Sequence, residues 1–125
     1  MHAELRVYVH GRQMPVPAQI GIDPQAQFLA PLHTHDSSGV IHIEAVRSLP
    51  FKLGQLFTIW GVKFTRAQLG SYVAGAGVVL AAFVNGKPIA NPPAYVMRSH
   101  DVIVVGYGRP GSFPPTFQFA FPPGL

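Results

Sequence analysis

The sequence predicts an α+β fold that is mainly β, and three observations lead there. Thirteen glycines and thirteen prolines in 125 residues are more than a helical bundle accommodates and suit short strands joined by tight turns. β-prone alternation recurs along the chain, whereas an extended helical periodicity occurs once. Hydrophobic residues make up 48% of the chain and charged residues 11%, less than half the ~25% usual in soluble domains, so few faces can be solvated. One domain over residues 1–125, without an internal linker, is expected.

The elements follow in order. Residues 5–9 (LRVYV) alternate and are β-prone, and His10-Gly11 followed by Pro15-Val16-Pro17 closes an N-terminal hairpin. Residues 32–43 form a second hairpin around Asp36-Ser37-Ser38-Gly39. Leu53, Leu56, Phe57 and Trp60 fall at i, i+3, i+4 and i+7, giving one short amphipathic helix that Gly61 can stop in a left-handed conformation. Thr65 can cap a further helical turn over residues 66–69. Strands are expected over residues 78–84, 87–89, 94–97, 102–107 and 116–121. Asn85-Gly86 makes a type I′ turn that echoes His10-Gly11. Pro114-Pro115 and Pro122-Pro123 keep the tail extended and outside any central sheet.

Composition also excludes functions. Nine Lys and Arg against five Asp and Glu give a net charge of +4, but the basic residues are scattered singly and make no phosphate-tracking stripe, so nucleic acid is not an expected partner. Residues 72–84 form the longest uncharged apolar stretch; it contains Gly75 and Gly77 and is too short to span a membrane. No segment has the regions of a signal peptide, which fits either a cytoplasmic protein or a mature piece of an exported one. With no cysteine, a disulfide scaffold, a thiolate metal site and a cysteine nucleophile are all excluded. Ser37 and Ser38 lack a nucleophile elbow, Asp36 and Glu44 are badly spaced for a glycosidase pair, and Gly75 and Gly77 have no phosphate-loop context.

The residues that carry chemistry are histidines. There are six, more than the five carboxylates, and three of them fall in the second hairpin. A loop of two residues (Ser37-Ser38) or four (Asp36 to Gly39) sets His33 opposite His42, His35 opposite Val40 and Pro31 opposite Glu44. Because directly opposed residues share a face, His33, His35, His42 and Glu44 then lie on one side, and Leu32, Thr34, Ile41 and Ile43 on the other. A three-residue loop would slip the register by one and split the histidines. Three imidazoles gathered this way suit copper, zinc, iron or nickel, and their nitrogens are expected within ~4 Å of one another. Glu44 can be a fourth ligand or an acceptor that orients an imidazole N–H. Asp36 is expected to close the turn. His2 lies near a terminus, His10 in a turn and His100 in a polar turn before Asp101, and none of the three is counted as a ligand.

The strings PLHTHDSSGVIHIE (31–44), FKLGQLFTIWGV (51–62), AAFVNGKPI (81–89) and SHDVIVVGYG (99–108) resemble a largely uncharacterised family of bacterial and archaeal proteins. The resemblance runs from VPAQIGI at residues 16–22 to the final FPPGL. Family members often follow an export signal or membrane anchor, so the resemblance implies an extracytoplasmic location. Lys52 stands where the family usually has a hydroxyl-bearing helix cap. The element order of the C-terminal half is also similar to β-grasp domains. That likeness implies a sheet whose first two strands come from the hairpin at residues 33–44, with the N-terminal hairpin as an addition.

The leading expectation is a small metal-binding protein holding one transition-metal ion, copper favoured over zinc, on the exposed face of the histidine hairpin through His33, His35, His42 and Glu44. One alternative is a metal-free β-grasp-like module whose histidine face or proline-rich tail binds another protein. Another is a small metal-dependent oxidative or hydrolytic enzyme, with Tyr72, Tyr95 and Phe113 lining a substrate groove.

Overall fold

A computed structural model of the chain describes residues 1–44 and 49–125. In chain order the strands and helix are β1 (His2–Val9), β2 (Arg12–Met14), β3 (Ile22–Asp23), β4 (Phe28–Leu29), β5 (Leu32–His33), β6 (Val40–Ile43), α1 (Leu53–Trp60), β7 (Gln68–Leu69), β8 (Tyr72–Val73), β9 (Val79–Val84), β10 (Lys87–Pro88) and β11 (Val102–Gly108). The fold is α+β and mainly β, with a mixed sheet and one short α-helix among the described residues. No helix among them is long and apolar enough to cross a membrane.

The sheet is ordered β10–β9–β11–β1–β6–β5, with β2 also on β1. β1 runs parallel to β11 from Glu4↔Val102 to Val9↔Tyr107. Its other edge is shared: β6 pairs antiparallel with His2–Glu4, and β2 with Val7–Val9. With the first and last strands parallel and adjacent at the centre, the order β6–β1–β11–β9–β10 has the β-grasp arrangement, but its first strand is not the expected one. The N-terminal hairpin is no addition. β1 is the central strand, and residues 33–44 supply only β6 and the short edge strand β5. The physical reason is β1's burial on both faces: Ala3, Leu5, Val7 and Val9 enter the main core, while Glu4 and Tyr8 are buried on the opposite face.

The helix begins and ends where its periodicity predicts. Leu53, Leu56 and Phe57 are fully buried in the core with Leu5, Ile41, Ile103 and Val105, and each such burial contributes roughly 1.5–3 kcal/mol. Lys52 has no side chain able to cap, so Gln55 reaches back instead: its Oε1 accepts the Lys52 N–H at 2.7 Å. Gly61 ends the helix at φ 81°. The two matched turns share a conformation, His10-Gly11 at φ 50° and 80° and Asn85-Gly86 at φ 52° and 82°.

Three local expectations fail. Residues 66–69 make no helical turn; Thr65 Oγ1 accepts the Ala67 N–H in a local turn that leads into the β7–β8 hairpin. Residues 94–97 form no strand, because Pro92 and Pro93 start a single 3-10 turn over Pro92–Ala94 and only Val96 bridges, to Lys52. Residues 116–121 also form no strand. Flanked by proline pairs, this tail packs by aromatic side chains instead: Phe113 and Phe117 join Tyr8, Val104 and Phe83 on the sheet face opposite α1, and Arg6 Cζ lies 3.8 Å from the centre of the Phe117 ring.

Candidate metal centre

The histidine hairpin has the expected register. Leu32 pairs with Ile43 and His33 with His42, and the Glu44 N–H donates to the Pro31 carbonyl at 2.8 Å. The ladder stops at His33 because Thr34 is captured by the segment before it. Its Oγ1 donates to the Pro17 carbonyl at 2.7 Å and accepts the Ile20 N–H at 3.1 Å, while its backbone N–H donates to the Ile20 carbonyl. The connection is residues 34–39, six rather than two or four, so His35 lies inside it and does not pair with Val40, while His33 stays opposite His42. Asp36 closes it as expected, its Oδ1 accepting the Ser38 N–H at 3.0 Å and the Ser38 hydroxyl, which together hold its carboxyl below the ordinary value. At the far end Gly39 adopts φ 88°, and a Cβ there would lie 2.4 Å from the Leu5 carbonyl oxygen.

Leu32, Thr34, Ile41 and Ile43 are buried on the core side. On the other side His33, His35 and His42 come together, with one ligand nitrogen from each within 4.8 Å of the others. That is looser than the expected ~4 Å. Nitrogens bound to one ion at ~2.0–2.1 Å in tetrahedral geometry sit about 3.3 Å apart, so a side-chain adjustment of about 1.5 Å closes the set. The His33 and His42 rings stack at 5.3 Å with 6° between planes, and His35 meets both edge-on, at 4.8 and 4.4 Å. The three imidazoles lie close enough to hold a metal ion.

The site is not the uniformly exposed face the sequence suggests. His33 is 0% exposed, His42 is half-buried and His35 is exposed. The fold thus arranges the three from a buried floor to a solvent-facing rim. His33 Nδ1 lies 2.7 Å from the Ala30 carbonyl oxygen. A carbonyl only accepts, so Nδ1 carries the hydrogen and Nε2 holds the lone pair. That Nε2 is buried without a hydrogen-bond partner among the described residues. Glu44 Oε1 stands 3.7 Å from it, on a side chain 56% exposed, beside the site rather than inside it.

Sequence reasoning passed over His2. The register His2↔His42 on β1 and β6, joined to His33↔His42, sets three histidines in one row across three strands. His2 Nε2 is 3.1 Å from His42 Nδ1, with the rings perpendicular. A signal existed: extending the β1 alternation backward puts His2, Glu4, Arg6 and Tyr8 on one face. Glu4 was passed over too. It is 1% exposed, its Oε1 has no hydrogen-bond partner among the described residues, and burial raises its carboxyl to about 7, with Arg6 opposing and Asp36 adding to the rise.

Burial and like charge favour the neutral ring at His42 and at His2. Burial lowers the His42 pKa first, and repulsion from His35, His2 and His33 lowers it further. Burial and the amino-terminal ammonium lower that of His2. Neutral rings offer lone pairs to a metal without first losing a proton.

The other aromatic candidates are engaged elsewhere. The Tyr95 hydroxyl donates to Asp101 Oδ2 at 2.6 Å, Tyr72 packs on Tyr107, and Phe113 lies over Gly106. None of the three joins the histidine cluster. His10 packs edge-on against Tyr107, and His100 stacks on Phe121. No family model matches the chain, and no curated protein or solved structure matches it significantly.

Proposed function

We propose that the chain is a small metal-binding protein that holds one transition-metal ion on His33, His35 and His42, with Glu44 as a further ligand or an outer-sphere acceptor. His33 carries the reading: its Nδ1 is tied to the Ala30 carbonyl and its buried Nε2 has no hydrogen-bond partner among the described residues. Leaving a polar nitrogen buried and unpaired costs about 1–3 kcal/mol, and a metal ion is the ligand that recovers it while His35 and His42 converge on the same point. Copper is the favoured ion and zinc the alternative. Imidazole nitrogen suits both, thiolate is absent, and Cu(II) outranks Zn(II) at a given nitrogen site. The exposed His35 rim leaves the ion accessible to solvent on one side. An extracytoplasmic location belongs to the same proposal and rests on the family resemblance alone.

Titration with Cu(II) and with Zn(II), followed by elemental analysis, tests the site. Wild type is expected to retain one ion per chain at neutral pH and His33→Ala/His42→Ala to retain almost none. Affinity is expected to fall below about pH 6 as the imidazoles protonate. Wild-type protein that keeps no stoichiometric metal at neutral pH overturns the reading.

A further inference from the structure

His42 occupies the middle of the histidine row, between His33 on β5 and His2 on β1. Its Nδ1 and the Nε2 of His2 are 3.1 Å apart, with 87° between the rings. Only one hydrogen fits between two nitrogens at that distance. If His2 donates it, a neutral His42 carries its own hydrogen on Nε2, and both of its ring nitrogens are consumed. If His42 donates it, the His42 Nε2 lone pair is left for a metal.

Metal binding by His42 therefore requires the second arrangement, which repeats that of His33, whose Nδ1–H is held by the Ala30 carbonyl. His2 is well placed to be the acceptor. β1 is locked between β11 and β6, the Ile43 N–H donates to the Met1 carbonyl at 2.9 Å, and the His2 carbonyl accepts the His100 N–H.

We propose that His2 is a positioning residue of the metal site: its Nε2 accepts the Nδ1 hydrogen of His42 and holds His42 in the tautomer that presents Nε2 to the ion. This rests on the metal-binding reading above. His2 is distinct from the three ligands because it acts through His42. The arrangement makes ligand selection depend on strand register, since His42 gains its acceptor only when β1 docks against β6.

Two-bond proton–nitrogen correlation spectra of histidine-labelled metal-free protein, with Zn(II) titration of the same samples, test it. In wild type His42 is expected in the Nδ1–H form. In His2→Phe it is expected to shift toward the Nε2–H form, with Zn(II) affinity lowered roughly 10- to 100-fold at unchanged one-to-one stoichiometry. His2→Gln, whose Oε1 accepts a hydrogen, is expected to recover most of the affinity. A wild-type His42 already in the Nε2–H form overturns the proposal, as does an affinity in His2→Phe within twofold of wild type. Loss of one nitrogen ligand from the Cu(II) electron paramagnetic resonance spectrum of His2→Phe would make His2 a direct ligand and also overturns it. A wild type that binds no Zn(II) or Cu(II) removes the metal-binding reading itself, whereas these other outcomes leave that reading standing.

Discussion

At the scale of single residues, the described histidine face contains two buried groups with opposite demands. His33 needs a ligand for its Nε2, and Glu4, two residues along β1 from His2, is a carboxyl without a hydrogen bond at Oε1. Burial raises the Glu4 pKa from 4.5 to about 7 in the folded chain. Between those two values the unfolded chain has released the proton and the native one retains it, so native stability falls as pH rises through this window and levels above it. Glu4→Gln removes a titrating group whose shift corresponds to on the order of 3 kcal/mol. Urea midpoints measured on metal-free protein from pH 4 to 8 are expected to show Glu4's share of that decline in wild type and its loss in Glu4→Gln. Identical pH profiles for the two proteins would show that Glu4 ionises freely in the fold. His2 and His42 act in the opposite sense, because their lowered pKa values make the native state less stable as pH falls below the ordinary histidine value, and they shape both profiles equally.

At the scale of elements, the hairpin of β5 and β6 is held by a glycine that no other residue can replace without moving its neighbours. Gly39 adopts φ 88°, and an added Cβ would lie 2.4 Å from the Leu5 carbonyl oxygen and 2.9 Å from Glu4 Oε2. The Gly39 carbonyl accepts the Leu5 N–H at 2.9 Å, so displacing it strips a bond from the central strand. Gly39→Ala is expected to cost about 3 kcal/mol in urea unfolding. Gly61→Ala has a similar φ of 81° but nothing among the described residues within 4 Å of the added Cβ, and is expected to cost only about 1 kcal/mol. Equal losses at the two positions would show that backbone strain alone, and not close approach to β1, sets the cost at Gly39.

What could be read from the sequence follows from the range of the interactions involved. The helix at 53–60, the Asn85-Gly86 turn and the pairing of His33 with His42 depend on neighbours a few residues apart. The partner of each strand does not, which is why β1 looked peripheral and His2 looked incidental. Strand expectations over 94–97 and 116–121 rested on residue type, and the flanking prolines redirect the chain: the Ala94 and Tyr95 N–H groups donate within the turn begun by Pro92 and Pro93 rather than to a neighbouring strand. Burial of His33 was hidden because it requires Thr34 to leave the hairpin for Pro17 and Ile20, contacts that no local pattern announces.

At the scale of the whole molecule, the sheet face opposite α1 is divided between two coverings. The proline-rich tail covers Tyr8, Val104 and Arg6 through Phe113 and Phe117, while the histidine row lies toward the other end of β1, on β5, β6 and His2. An ion bound there would join the edge strand β5, the 34–39 connection and β6, and through His2 would reach the central strand. The three ligand-bearing segments are consecutive in sequence and only His2 is remote, so the ion pins the folded hairpin at the sheet edge, and its binding energy becomes stability. At a free-metal concentration 100 times Kd the gain is about 2.7 kcal/mol, which for a chain of this length raises Tm by on the order of 10 °C. Calorimetry with and without Zn(II) is expected to show that shift in wild type and to lose it in His33→Ala. Arg6→Ala, which removes the guanidinium from Phe117 at the other end of the same face, is expected to lower Tm in both conditions while leaving the Zn(II)-induced increment intact. An increment that disappears with Arg6 would mean that the tail and the histidine row behave as one cooperative surface rather than two.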